Sequence, residues 1–155
     1  MSLPKEFLTL SSTLTGFSEF QVQGTGQAQL YHETVAGVVG EQTMSELLRR
    51  FTDVHNQARG DVAVLDSRLR AEILSDEKLG PIARNIIKLW YLGTWYQLPQ
   101  AWRERFGVMA NDKTFVASPM AYTEGLLWPA IGAHPPGTKA PGYGTWSGPP
   151  RIPEE

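Results

Sequence analysis

The stretch from Ser118 to Trp146, SPMAYTEGLLWPAIGAHPPGTKAPGYGTW, limits the folding of this chain more than any other. Pro119, Pro129, Pro135, Pro136 and Pro141 each lack a backbone donor and hold φ fixed, which works against regular structure. Tyr122, Leu126, Leu127, Trp128, Ile131, Tyr143 and Trp146 nevertheless carry a large apolar area. The stretch is poor in the serine, lysine and glutamate that fill disordered tails. A segment that hardly folds on itself, yet has this much to bury, is expected to lie along another surface. That surface is either its own helical body or a partner protein.

The sequence ahead of it reads as helix. Phe7, Leu10, Leu14 and Phe17 form the stripe of an amphipathic helix over 5–17. After the break at Gly24 and Gly26, Leu30, Tyr31, Val35 and Val38 mark a second helix that stops near Gly40. Thr43 and Glu46 have the spacing of a capping box and predict the start of a third, with Leu47, Leu48, Phe51 and Val54 inward. Asp61 is placed to cap a fourth, in which Val62, Leu65, Leu69 and Ile73 turn to the core. Ser75, Asp76 and Glu77, with Pro81 in the first turn, open a fifth that runs through Trp95. Residues 100–106 suit a short further turn, and Thr114–Ala117 is the one strand candidate. The expectation is an all-α bundle of about five helices over 1–106, followed by an extended, irregular arm rich in proline, glycine and aromatics over 107–155.

At 155 residues the chain is long enough for one hydrophobic core. A net charge of −2, without a basic cluster, gives no reason to expect nucleic acid as a partner. The absence of cysteine removes disulfides, thiolate nucleophiles and cysteine-ligated metals together. No run approaches the ~18 apolar residues of a membrane span, so direct membrane insertion is not expected. The start of the chain shows no export signal.

Catalytic and cofactor-binding groups are sparse. His32, His55 and His134 are far apart and none falls in a metal-ligand pattern. His32 is expected on a solvated helix face, since Tyr31 takes the buried side, and His55 near a helix C-terminus. Gly137, Gly142, Gly144 and Gly148 lack the flanking strand and helix of a nucleotide cradle. Trp90, Trp95 and Trp102 belong to the core, whereas Trp128 and Trp146 are suited to an interface. Glu124 and His134, with Trp128, leave open an alternative: a small carbohydrate-binding module or enzyme.

Three blocks carry a resemblance: FLTLSSTLTGF at 7–17, LGPIARNIIKLWYLGTW at 79–95, and VASPMAYTEGLLWPAIGAHPPGTKAPGYGTW at 116–146. The last, with its YxEGLxW, AHPxG and PGYGxW motifs, is the most specific. Together they resemble the small subunit of the membrane-bound, FAD-dependent sorbitol dehydrogenase family, including the small subunits of related glucose and fructose dehydrogenase complexes. The resemblance implies a non-catalytic, chaperone-like accessory subunit. It implies as partner a large FAD-containing subunit of the glucose–methanol–choline type, often joined by a multi-haem cytochrome c. FAD is then expected in that partner, and haem c or an iron–sulfur cluster elsewhere in the complex. The complex is expected in the periplasm, held at the membrane through its other subunits.

Two features depart from the family pattern. The twin-arginine signal typical of such subunits is missing, and Arg49–Arg50 lies mid-helix. With no cysteine, the pair would be held by packing alone. The expected contact set for the partner is Tyr122, Leu127, Trp128, His134, Pro135, Tyr143 and Trp146.

Overall fold

The computed structural model describes residues 3–132. Its elements run α1 (Lys5–Thr15), α2 (Glu19–Gly24), α3 (Ala28–Val39), α4 (Glu41–Ala58), α5 (Val62–Leu69), a π-helical turn (Arg70–Leu74) and α6 (Leu79–Leu92). They continue with β1 (Thr94–Trp95), α7 (Gln100–Phe106), β2 (Phe115–Val116), α8 (Pro119–Thr123) and α9 (Leu127–Ala130). The fold is all-α, as the periodicity predicts, with one two-stranded antiparallel pairing among the described residues.

The core is organised around α6. Leu79, Ile82, Ala83, Ile86, Leu89 and Trp90 are all fully buried, while Arg84, Lys88 and Leu92, each a turn apart, are exposed, so this helix turns one broad face to the core. It packs against α1, α3, the π-helical turn, β1 and α9. Phe7 and Leu10 of α1, Tyr31 and Val35 of α3, and Leu47, Phe51 and Val54 of α4 close the same cluster. The Tyr31 ring meets Trp90 edge-on at 4.7 Å, a favoured aromatic arrangement. Trp90, Trp95 and Trp102 are core residues, as expected.

Helix boundaries follow local chemistry, with several corrections. Asp61 caps α5, accepting from the backbone N–H of Ala63 and Val64. The capping box expected at Thr43 does not form, because α4 already begins at Glu41. Glu46 turns instead to Lys78, whose Nζ lies 2.9 Å from its carboxylate. The capping box that does form is at Ser18 and Gln21, and it starts α2, a helix the two glycines had hidden. Val62 is exposed at the first turn of α5, while Leu69 and Ile73 are buried. The π-helical turn places one extra residue in the ladder beside Ile73. Asp76 then accepts from the N–H groups of Lys78 and Leu79 and opens α6. α6 stops at Leu92, so Trp95 enters β1 rather than the helix.

His32 is a further correction. It is buried, not solvated, and its ring meets Phe7 edge-on at 5.2 Å. Both Tyr31 and His32 reach the interior because α1 covers one flank of α3 and α6 the other.

The first part of the arm is more ordered than its prolines suggest. Thr94 pairs with Val116, and Trp95 with Phe115, which places the expected strand segment against the end of α6. Pro119 sits in the first turn of α8, where its missing N–H would have no helical partner in any case. Ser118 caps that turn through Ala121 N–H.

Candidate functional site

The arm is anchored on the C-terminal end of α6 by backbone groups. Ala117 N–H donates to Gly93 O at 2.9 Å, and Leu126 N–H donates to Trp90 O at 2.9 Å. The second bond satisfies a carbonyl in the last turn of α6, where helical partners run out. Two glycines make the approach possible. Gly93 has φ +71, and a Cβ on it would lie 2.6 Å from Ala121 O. A Cβ on Gly125 would lie 2.6 Å from Tyr91 O. At these two points backbone meets backbone with no room for a side chain.

Leu126 and Ala121 are buried in this seat. Asp112 secures the segment before it. The Asp112 carboxylate accepts from Trp95 Nε1 at 3.0 Å and from Leu98 N–H, all within the interior. Buried and fully engaged, it fixes the loop that carries β2.

Of the expected contact set, Tyr122, Leu127 and Trp128 are brought together. The Tyr122 and Trp128 rings lie 5.5 Å apart at 76°, and Trp128 Nε1 donates to Tyr122 O at 2.9 Å. Tyr122 is exposed, while Leu127 and Trp128 are half-buried. This pair is thus fixed in place with its outer surface facing solvent. His134, Pro135, Tyr143 and Trp146 lie outside the described residues. Glu124, between α8 and α9, is half-buried. The Tyr31 hydroxyl is pushed well above the ordinary tyrosine range by burial, with the Glu124 charge adding to the shift.

Further apolar side chains outside the expected set are exposed on the elements that meet the end of α6. Leu92, Val116 and Met120 are exposed, as is Ile131 just beyond α9. Val116 was legible only as part of a short strand, with nothing in its alternation to give its facing. Met120 stands on a helical turn in a stretch whose prolines work against regular structure.

A separate open cleft of about 510 Å³ lies between α3 and the 110–115 loop, with Glu33, Thr34, Asn111, Lys113 and Phe115 on its walls. Asn111 Nδ2 closes one end by donating to Gly37 O. A smaller one, about 120 Å³, lies between α1 and α4 beside Phe51 and His55. Among the described residues no group of three or more His, Asp or Glu is placed to hold a metal ion, and no helix is long and apolar enough to cross a membrane.

Compared with protein-family models, with curated proteins and with solved structures, the chain finds no match.

Proposed function

We propose that this chain is an accessory subunit of an FAD-dependent sugar or polyol dehydrogenase complex. In this reading it stabilises the large flavin-containing subunit and accompanies it on export. It performs no chemistry of its own. The blocks at 7–17, 79–95 and 116–146 support the reading through the resemblance they carry.

The single observation that weighs most is the Tyr122–Trp128 pair. A tyrosine and a tryptophan, held rigid by an edge-on contact and an indole hydrogen bond, face outward from a seat anchored to the core. Pre-formed aromatic anchors of this kind lose little conformational freedom on binding, and they dominate protein–protein interfaces.

The test is a pull-down from the native cell with the full chain as bait, reading the partner's mass and the visible absorption spectrum of the eluate. A stoichiometric large partner with a flavin spectrum is expected. A colourless, monomeric bait would overturn the reading, and calorimetric titration with sugars and polyols would then test the alternative at Glu124 and His134.

A further inference from the structure

The open cleft between α3 and the 110–115 loop, at about 510 Å³, falls within the ~300–1,000 Å³ of small-molecule sites. Its two walls differ in hydrogen-bonding character. On the α3 wall, Glu33 brings a carboxylate, one oxygen of which accepts from Gln29 Nε2 at 2.8 Å. Thr34 has spent its hydroxyl hydrogen on Leu30 O, which leaves its oxygen as an acceptor. This wall also takes in Gly37 and Val38, in the last turn of α3, where the helix dipole carries partial negative charge.

The loop wall is of the opposite kind. Lys113 brings an ammonium. Thr114 Oγ1 accepts from Gln97 N–H, so its hydrogen is left to donate. Asn111 uses one amide hydrogen on Gly37 O and keeps the second. One wall therefore accepts and the other donates. Glu33 and Lys113 nevertheless form no ion pair, with each other or with any other described residue.

We propose that this cleft binds a small zwitterion, an α-amino acid with an apolar side chain. Its ammonium lies toward Glu33 and its carboxylate toward Lys113 and Thr114. Val38, Ala110 and the Phe115 ring, which is 37% exposed, receive the side chain. A simple anion would meet Glu33 and a simple cation Lys113, each at a cost. A neutral sugar or polyol presents hydroxyl groups that give and accept alike, so sorted walls offer it no advantage.

Gly37 points the same way. A Cβ there would meet nothing within 4 Å, and its φ is not positive, so neither packing nor backbone geometry calls for glycine. Glycine within a helix is less stable than alanine. What it provides is close access to the helix backbone from the cleft. The walls are also held before a ligand arrives. Asn111 clasps the loop to α3, and buried Asp112, next to it, is fixed by Trp95 Nε1 and Leu98 N–H. Glu33 and Lys113 are both exposed, so each ionic contact is weak and the Kd is expected on the order of 1 mM.

An NMR titration of the full chain with L-leucine and L-phenylalanine, read by backbone amide shifts, tests the site. Saturable shifts are expected at 33–38 and 110–115. N-acetyl-leucine lacks the ammonium and leucinamide the carboxylate, and each is expected to bind about fivefold more weakly or worse. Affinity for leucine should fall as salt rises. Glu33→Gln and Lys113→Gln are each expected to weaken leucine about fivefold at an unchanged melting temperature. Gly37→Ala is expected to weaken leucine while raising the melting temperature, an opposition that a purely structural glycine would not give.

The absence of saturable shifts at these two segments with either amino acid overturns the proposal. Equal affinity for leucine, N-acetyl-leucine and leucinamide overturns it too, because the charged ends would then play no part. Saturation by sorbitol at lower concentration than leucine overturns it in favour of a polyol site. All three outcomes leave the accessory-subunit reading intact, since the cleft is tested without a flavoprotein.

Discussion

Replacing Gly93 with alanine tests whether the arm is seated on α6 in the way described, and Gly16 provides the control. Gly93 has φ +71 and Gly16 φ +80, so an alanine at either site incurs left-handed strain. That strain is worth about 1–2 kcal/mol, offset by about 0.4–1 kcal/mol from the stiffer unfolded chain. The difference lies in what the new methyl meets. At Gly16 there is nothing within 4 Å, whereas at Gly93 three atoms of Ala121 lie at 2.6, 2.7 and 2.8 Å.

Ordinary contact begins at 3.4 Å, so α8 must either shift by close to one ångström or detach. A shift of that kind in a packed region costs about 1–3 kcal/mol. Detachment exposes Leu126, worth about 2 kcal/mol, and breaks its bond to the Trp90 carbonyl. Both routes put Gly93→Ala about 2 kcal/mol below Gly16→Ala in stability. Urea unfolding of the full chain, followed by tryptophan fluorescence, measures both variants. Two values within about 0.5 kcal/mol of each other would refute the seating.

Two further substitutions probe the interior. Asp112→Ala leaves the buried Trp95 indole and the Leu98 N–H without an acceptor, and is expected to cost about 3 kcal/mol with a red-shifted Trp95 emission. Asp112→Asn keeps an acceptor oxygen and should recover a substantial part of that loss by the same unfolding measurement. His32 has its pKa lowered by burial, with Glu41 and Glu33 opposing the shift. The unfolded chain therefore binds this proton more tightly than the folded one, and stability falls as pH drops below about 6.5 toward the folded pKa. Melting temperatures across that window should show the decline in the native chain and a shallower one in His32→Gln.

What was legible in the sequence is mostly what local chemistry decides. Asp61 caps its helix because its side chain reaches two N–H groups only a turn away, and α1, α3 and α6 follow their apolar spacing. The misses come from tertiary choices. Thr43 and Glu46 have the right spacing, but the helix starts earlier and Lys78, far along the chain, claims the glutamate. His32 looked solvated because a stripe with Tyr31 inward leaves its neighbour outside, and only a second covering helix brings both in. Asp112 gave no signal at all, since an aspartate in a loop reads the same whether it faces water or accepts from a buried indole. In the candidate interface the aromatic pair was readable by composition. Val116 and Met120 became visible only with the strand register and the proline-started turn in place.

The hydrogen bond from Leu126 to the Trp90 carbonyl has a consequence for the order of events during synthesis. The helix that contributes most heavily to the described core has its final turn completed by residues that emerge well after it from the ribosome. Until they do, that end of α6 stays open to water, and the aromatic turn that will face outward has no base to stand on. Completion of the α6 end and presentation of the outer surface are then one late, coupled step. A nascent chain halted before Gly125 would therefore show neither.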